Sequence, residues 1–385
     1  MTAAPGLTRR PAVPGDGVPA AGVPTVGVEE EYLLLRPDGR VADVAPEVLA
    51  AVPPGIGAHT EFARCQVEVA TPVCAGLAAV GRELSAARSG LARAAADLGA
   101  SLVASGTPPV GAPGILDLTD DPRYRRLVSS VTGVHGDEIT CAVQVHVEVA
   151  SRDLGTAVLA RLRPWLPVLL AMSGNSPLWR GRDTGWSSHR FVVQRNWPSF
   201  GPPPVCADAA DYDRRVADAV ESHAAVDERG IYYWARLSPR YPTIEIRIAD
   251  QCLTVADSVL LTGLCRALVM GAVADEEAGR PAPVASDREL GAAASAAARL
   301  GTRARVLDPR HGGWVPAARV LDRLPLVLAP QLQVTGDAEA VTALLAARLR
   351  KGSGSDRQRA LWRAGPVDRF VRAVADIGAE GGPGG

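Results

Sequence analysis

Hydrophobic and polar positions alternate in three short stretches of this chain. They are Val26-Gly-Val-Glu-Glu-Glu-Tyr-Leu33, Val143-Gln-Val-His-Val-Glu-Val149 and Thr243-Ile-Glu-Ile-Arg-Ile-Ala249. A period of two predicts β-strands, and residues i and i+2 then share a face. Glu29 and Glu31 point together, as do Gln144, His146 and Glu148, and Glu245 and Arg247. Val143, Val145, Val147 and Val149 take the back of the second strand, and Ile244, Ile246 and Ile248 that of the third. A solvated sheet face seldom gathers so many carboxylates with a His. Like charges on neighbouring strands repel. A cation between them, a divalent metal carrying phosphate, is the economical expectation.

The first strand should run from about Val26 to Leu35 and meet a turn at Pro37-Asp-Gly-Arg40. A second strand lies within residues 59–70 and ends at Thr71-Pro72. Leu77, Val80, Leu84, Ala87, Leu91, Ala94 and Leu98 then step by three and four, an amphipathic helix that Gly99 ends. Ser101–Ala104 is a short strand before the loop 105–109, and the polar-faced strand 141–150 follows. Asp153 is expected to cap a helix interrupted by Pro164 and Pro167. Residues 174–204 read as one long irregular stretch, ordered by Trp179, Trp186 and Trp197. Residues 208–228 read as helix and 241–250 as strand. Thr254-x-x-Asp257 and Ser286-x-x-Glu289 are capping boxes, and the pattern stays helical to about residue 375. Strands and helices do not alternate regularly. The fold class is therefore α+β with a largely antiparallel sheet.

Composition narrows the classes. The 385 residues are 47% hydrophobic, enough for a large core. The net charge of −1 gives no global field to recruit nucleic acid or anionic lipid. No apolar run long enough to span a bilayer is expected. The six cysteines are scattered without a C-x-x-C pair, which fits reduced thiols and a cytoplasmic protein. Residues 1–24 and 376–385 are Gly- and Pro-rich or Gly-rich and read as tails around one unit, residues 25–375.

The candidate chemistry centres on acids. Flanked by Val26, Val28 and Tyr32–Leu35, the strand of Glu29–Glu31 looks buried, and buried carboxylates are paired or bind metal. Glu61 and Glu68 have an odd separation, so one unbroken strand would point them to opposite faces. Glu68, between Val67 and Val69, is the firmer candidate, and Glu61 joins it only if the chain turns between them. His146 matches no zinc signature, and a carboxylate-rich set favours Mg2+ or Mn2+. Arg247 reads equally as a salt-bridge partner of Glu245 and as a binder of phosphate or carboxylate. The loop 175–190 reads as a structural wrap or an anion clamp. Lys351-Gly-Ser-Gly-Ser-Asp-Arg-Gln-Arg359 reads as a helix connection before a phosphate loop. Walker, G-x-G-x-x-G and G-x-S-x-G motifs do not occur.

Taken together the motifs resemble those of the glutamate–cysteine ligase type 2 family of ATP-dependent carboxylate–amine ligases. The resemblance rests on seven segments in order. They are Thr25-Val-Gly-Val-Glu-Glu-Glu-Tyr32, Gln66-Val-Glu-Val-Ala-Thr-Pro-Val-Cys74, Val145-His-Val147, Leu169-Leu-Ala-Met-Ser-Gly-Asn-Ser-Pro177, Asp183-Thr-Gly185, Pro242-Thr-Ile-Glu-Ile-Arg247 and Asp356-Arg-Gln-Arg359. It implies a cupped antiparallel sheet flanked by helices, like the catalytic domain of glutamine synthetase. It implies metal ligands at Glu29, Glu31, Glu61, Glu68, His146 and Glu245. Arg247 would meet phosphate or an acyl intermediate, with Arg190 and Arg236 as further anion contacts. ATP and Mg2+ (or Mn2+) would be used to join a small carboxylate and an amine, amino acids by default, and homo-oligomers are a family-level expectation. Gln144 stands where the family commonly has a second His, and Ala142, Cys65 and Gly174 also depart from its pattern.

Two other classes remain open on sequence. A metal-dependent hydrolase would need no nucleotide, and a non-catalytic nucleotide-binding paralogue would release no ADP.

Overall fold

The computed structural model describes residues 22–111, 117–130 and 139–379. Its organising element is β1 (Val26–Leu35), the longest strand. After α1 (Ala45–Ala51) come β2 (Ala58–Thr60) and β3 (Gln66–Ala70), then α2 (Leu77–Asp97), β4 (Ser101–Val103), α3 (Pro122–Ser130) and β5 (Val143–Glu148). Helices α4 (Arg152–Leu162) and α5 (Leu166–Ser173) lead to the small hairpin β6 (Leu178–Trp179) and β7 (Arg182–Asp183). Next are α6 (His189–Gln194), α7 (Ala209–Glu221), β8 (Ala235–Leu237) and β9 (Thr243–Ile246). The C-terminal part holds α8 (Val255–Glu277), α9 (Asp287–Leu300) and a hairpin of β10 (Arg305–Leu307) and β11 (Trp314–Pro316). Five helices follow: α10 (Ala317–Val327), α11 (Ala329–Thr335), α12 (Ala338–Lys351), α13 (Gly354–Arg363) and α14 (Val367–Ala379).

One antiparallel sheet runs in the order β2-β3-β1-β5-β9-β8. β1 is long enough to take two neighbours on one side, β5 along Val26–Glu30 and β4 along Leu33–Leu35. The apolar face of this sheet is the core. Val26, Val28, Val143, Val145, Val147, Ile244 and Ile246 pack there with the buried helix α8 and with α4 and α5. This is the expected α+β class, a mixed helical and antiparallel-sheet fold.

Several local expectations are corrected. The strand expected within residues 59–70 is two strands, because the chain loops between Thr60 and Gln66. Residues 174–204 are not irregular throughout, since β6, β7 and α6 lie inside them. The helix of 208–228 ends at Glu221, and the strand of 241–250 is four residues long. Ser151, not Asp153, caps α4: its hydroxyl accepts the Leu154 amide at 3.1 Å. Thr254 caps α8, but Asp257 answers the threonine hydroxyl rather than its backbone, so no full box forms. The box at Ser286 and Glu289 is complete, and Ser353 and Asp356 form another. The β10–β11 hairpin interrupts what reads as continuous helix. α14 runs to Ala379, past the expected start of the tail at 376. Residues 1–21 and 380–385 lie outside the described residues. Two helical runs, 152–173 and 255–277, are long and apolar enough by length and composition to cross a membrane, contrary to expectation. Both are mostly buried within the protein itself. None of the six cysteines forms a disulfide among the described residues.

Candidate functional site

The registers assemble the charged face. Glu31 pairs with Glu68 across β1 and β3. Glu29 pairs with Gln144, and Gly27 with His146, across β1 and β5. His146 pairs with Glu245 across β5 and β9, and Glu245 with Arg236 across β9 and β8. Directly paired residues share a face. One row thus crosses five strands, away from the apolar core. Glu61 joins from the loop after β2, which removes the parity problem that its spacing posed. The six predicted acidic and imidazole residues therefore meet in one place.

Two groups can be distinguished within the row. In the first, ligand atoms of Glu29, His146 and Glu245 lie within 4.8 Å of one another. His146 Nδ1 is 2.9 Å from the Thr243 hydroxyl. Its Nε2 is 3.3 Å from Glu29 Oε1, yet it is buried without a hydrogen bond. Burial would depress the His146 pKa, but the Glu29 carboxylate raises it. Glu29 itself is raised by burial and, more strongly in sum, lowered by His146 and Arg247. Burial likewise pushes Glu245 up, but Arg236, Arg247 and His146 together hold it well below the usual carboxylate range.

The second group has too much negative charge. Burial first, and Glu61 second, push Glu31 up to about 7. Burial and Glu68 push Glu61 up to about 7. Burial, Glu29 and Glu31 push Glu68 well above its ordinary value. His59 Nε2 lies 2.9 Å from Glu68 Oε2 at the rim. An imidazole nitrogen in ion-pair range of Glu29, beside mutually repelling carboxylates, is a donor set that fits a hard divalent cation. Both Glu245 oxygens already accept from guanidinium groups, but a carboxylate has about four lone-pair sites.

The arginines divide by role. Arg247 donates through Nη1 to Glu245 and Gln144, and its guanidinium makes no other hydrogen bond among the described residues. Gln144 donates in turn to Glu31 at 2.7 Å, so it couples Arg247 to the acid group. Arg190 donates to the carbonyls of Ile248 and Arg247, both at 3.2 Å, and its Nε is unpartnered. Arg236 is fully engaged with Glu245 and the carbonyls of Arg229 and Ile231. It lies outside the cavity lining. In this arrangement it positions Glu245.

A cavity of about 100 Å³, partly open to solvent, adjoins the acid group. Glu31, Glu61, Arg190 and Arg247 line it with a set of aromatic side chains. The sequence reading missed Phe62, Tyr124, Tyr232 and Trp234 here. Of these only Phe62 adjoins a predicted residue, Glu61, in sequence. Tyr124 donates to Glu61 at 3.3 Å from α3.

The loop 175–190 serves as a wrap. Asn175 donates to the carbonyls of Ala104 and Gln251, and Ser176 and Ser188 donate to buried Asp250. A Cβ at Gly354 would sit 2.2 Å from Asn175 Oδ1, which explains that glycine in the connection 351–359. Arg359 in turn holds Asp183, Nε to both carboxylate oxygens at 2.9 Å. These segments brace the sheet.

The sequence profile of the family described as glutamate-cysteine ligase family 2 matches residues 25–373. The chain belongs to this family. A protein of Frankia alni named "Putative glutamate--cysteine ligase 2-2" is 40% identical over 367 residues, covering 90% of this chain and 95% of its own. One of the same name from Saccharopolyspora erythraea is 41% identical over 362 residues, covering 92% of each. Among solved structures, glutamate–cysteine ligase of Francisella tularensis in complex with AMP aligns with a TM-score of 0.66 at 12% identity, covering 92% of this chain and 88% of that one. A bifunctional glutathione synthetase of Pasteurella multocida gives 0.67 at 15% identity, covering 92% of this chain. This chain spans about half of that protein, 52%. At such identities the likeness is one of fold, and the fold is that of glutamine synthetase-like ligases. Membership of the family carries the coarse assignment, an ATP-dependent carboxylate–amine ligase.

Proposed function

We propose that the protein joins a small carboxylate to an amine as a γ-glutamyl-type amide, using ATP and Mg2+ or Mn2+. The observation that carries this is the convergence of Glu29, His146 and Glu245 with Glu31, Glu61 and Glu68 on one sheet face beside Arg190 and Arg247. Mg2+ held by these two groups would neutralise the triphosphate and orient its γ-phosphoryl group. The carboxylate oxygen attacks the γ-phosphorus, and ADP leaves with the bonding electrons. The amine nitrogen then attacks the acyl carbon, inorganic phosphate leaves, and the nitrogen loses its extra proton.

The protein's own part is electrostatic and positional. The unengaged donors of Arg247 can stabilise charge on the acyl phosphate. Arg190, buried and fixed by carbonyls, offers a second cation at the cavity wall. Arg236 fixes the angle of Glu245, and Thr243 fixes the ring of His146. Glutamate and cysteine are the default pair because relatives carry that name.

The test is ADP release with Mg2+ across glutamate and a panel of amines. Release that needs both substrates supports the reading. Binding of ATP with no substrate-dependent release by any pair would overturn it.

A further inference from the structure

The cavity beside the acid group has a lining unlike the rest of the chain. Aromatic residues are 4% of the sequence, yet they dominate this one space. They come as packed pairs. Phe62 meets Tyr124 edge-on with centroids 5.4 Å apart, Trp197 meets Tyr232 at 5.1 Å, and Phe200 meets Trp234 at 6.2 Å. Arg247 lies over the Tyr232 ring at 5.9 Å. Phe62, Trp197, Phe200 and Tyr232 are only half-buried, so their remaining surface faces space that a ligand can fill. The polar side chains of the wall are largely committed elsewhere. Gln66 and Gln194 both bind Thr140, and Arg123 binds Asp227 through two hydrogen bonds. What remains is an aromatic sleeve with charge at one place only, at Glu31, Glu61, Arg190 and Arg247.

Such a lining is poorly matched to a short thiol. Ring surfaces gain most from a flat apolar partner stacked or set edge-on against them. Adenine is flat too, but it lies at the far end of the triphosphate from the γ-phosphoryl group, whereas the amine must reach the acyl carbon beside Arg247. An amino acid or an arylalkylamine brings both ends, ring and charge. We propose that the amine substrate of this protein carries an aryl side group, seated against the ring pair of Trp197 and Tyr232 and against Phe62. This deepens the ligase reading, on which it rests for the reaction though not for the binding.

Calorimetric titration of the full chain with L-phenylalanine, 2-phenylethylamine and cysteine, in the presence of Mg2+, tests it. Both phenyl compounds should bind at least about tenfold more tightly than cysteine, a difference of about 1.4 kcal/mol. Trp197→Ala should remove that preference and Tyr232→Phe should keep it. Equal or tighter binding of cysteine by the wild-type protein overturns the proposal. So does competition between AMP and L-phenylalanine, which would put adenine in the sleeve. ADP release separates the two readings. A phenyl preference in binding with no ADP release by any pair sinks the ligase reading alone. ADP release preferring cysteine sinks the aryl assignment alone.

Discussion

Arg236 holds Glu245 through two parallel hydrogen bonds, Nε to Oε2 at 2.8 Å and Nη2 to Oε1 at 3.1 Å. Both residues are buried, and the other face of the guanidinium is tied to two backbone carbonyls. The carboxylate is therefore fixed in angle before any ligand arrives. Lysine cannot reproduce a planar fork. Arg236→Lys should keep the fold, weaken Mn2+ binding about 10- to 100-fold and lower ADP release accordingly. Arg236→Ala removes two charge-assisted hydrogen bonds from a buried carboxylate that keeps Arg247 as a partner, and should cost about 2–3 kcal/mol in urea unfolding. Full Mn2+ affinity in Arg236→Lys would show that the fork is only structural.

Glu68 is the carboxyl most crowded by its own kind. Burial, Glu29 and Glu31 all oppose its charge. Removing that charge relieves repulsion in the metal-free protein. Glu68→Gln should match or exceed the wild-type melting temperature at pH 8, by up to about 3 °C, while ADP release falls at least about 100-fold. The pairing of lost turnover with undiminished stability is the signature of a residue kept for its ligand. A melting temperature lowered by several degrees would instead make Glu68 a structural residue.

The same crowding sets a pH dependence. Glu31 and Glu61 are each pushed from 4.5 up to about 7, chiefly by burial and next by a neighbouring carboxylate. Between those values the folded protein holds protons that the unfolded chain has released. This group's contribution to stability therefore falls as pH rises from about 4.5 to about 7. A divalent cation must displace the same protons, so its affinity rises over that window. Mn2+ binding by calorimetry should be at least about tenfold tighter at pH 8 than at pH 6. The metal-induced gain in melting temperature should also be larger at pH 8. A pH-independent affinity would mean that these carboxyls do not hold the metal.

How much of this was legible in sequence depends on the range of the signal. The strands β1, β5 and β9 carry their own period-two pattern, so the shared faces of Glu29 and Glu31, and of Glu245 and Arg247, are local facts. The order of strands is not local, and the meeting of His146 with Glu245 needed the register of β5 on β9. Glu61 was ambiguous because parity holds only along an unbroken strand, and the break after Thr60 has no strong turn signal. β8 is three residues long and is defined by pairing with β9 rather than by pattern. The hairpin β10–β11 sits among helices, and its Arg-Val-Leu and Trp-Val-Pro runs are too short to show alternation. The aromatic sleeve gathers rings from Phe62 to Trp234, whose meeting no window of sequence contains.

Three consecutive glutamates divide between two faces, and their consequences should divide with them. Glu29 and Glu31 lie on the charged face, whereas Glu30 points into the core and is fully buried. There Arg88 of α2 binds it through Nε at 3.0 Å and Nη2 at 2.5 Å, and the hydroxyls of Tyr32 and Ser258 add to it. Arg88 also donates to the carbonyls of Cys252, Leu253 and Gly378, so one guanidinium ties the sheet to the start of α8 and the end of α14. Burial alone would raise Glu30, but Arg88 keeps it below its ordinary value. Arg88→Ala strands that carboxylate and should cost about 3–5 kcal/mol, measured by urea unfolding. Glu29→Gln and Glu31→Gln should leave the unfolding midpoint within about 1 kcal/mol of wild type, yet abolish ADP release. If Arg88→Ala unfolds no more readily than Glu31→Gln, the assignment of adjacent residues to opposite faces is wrong.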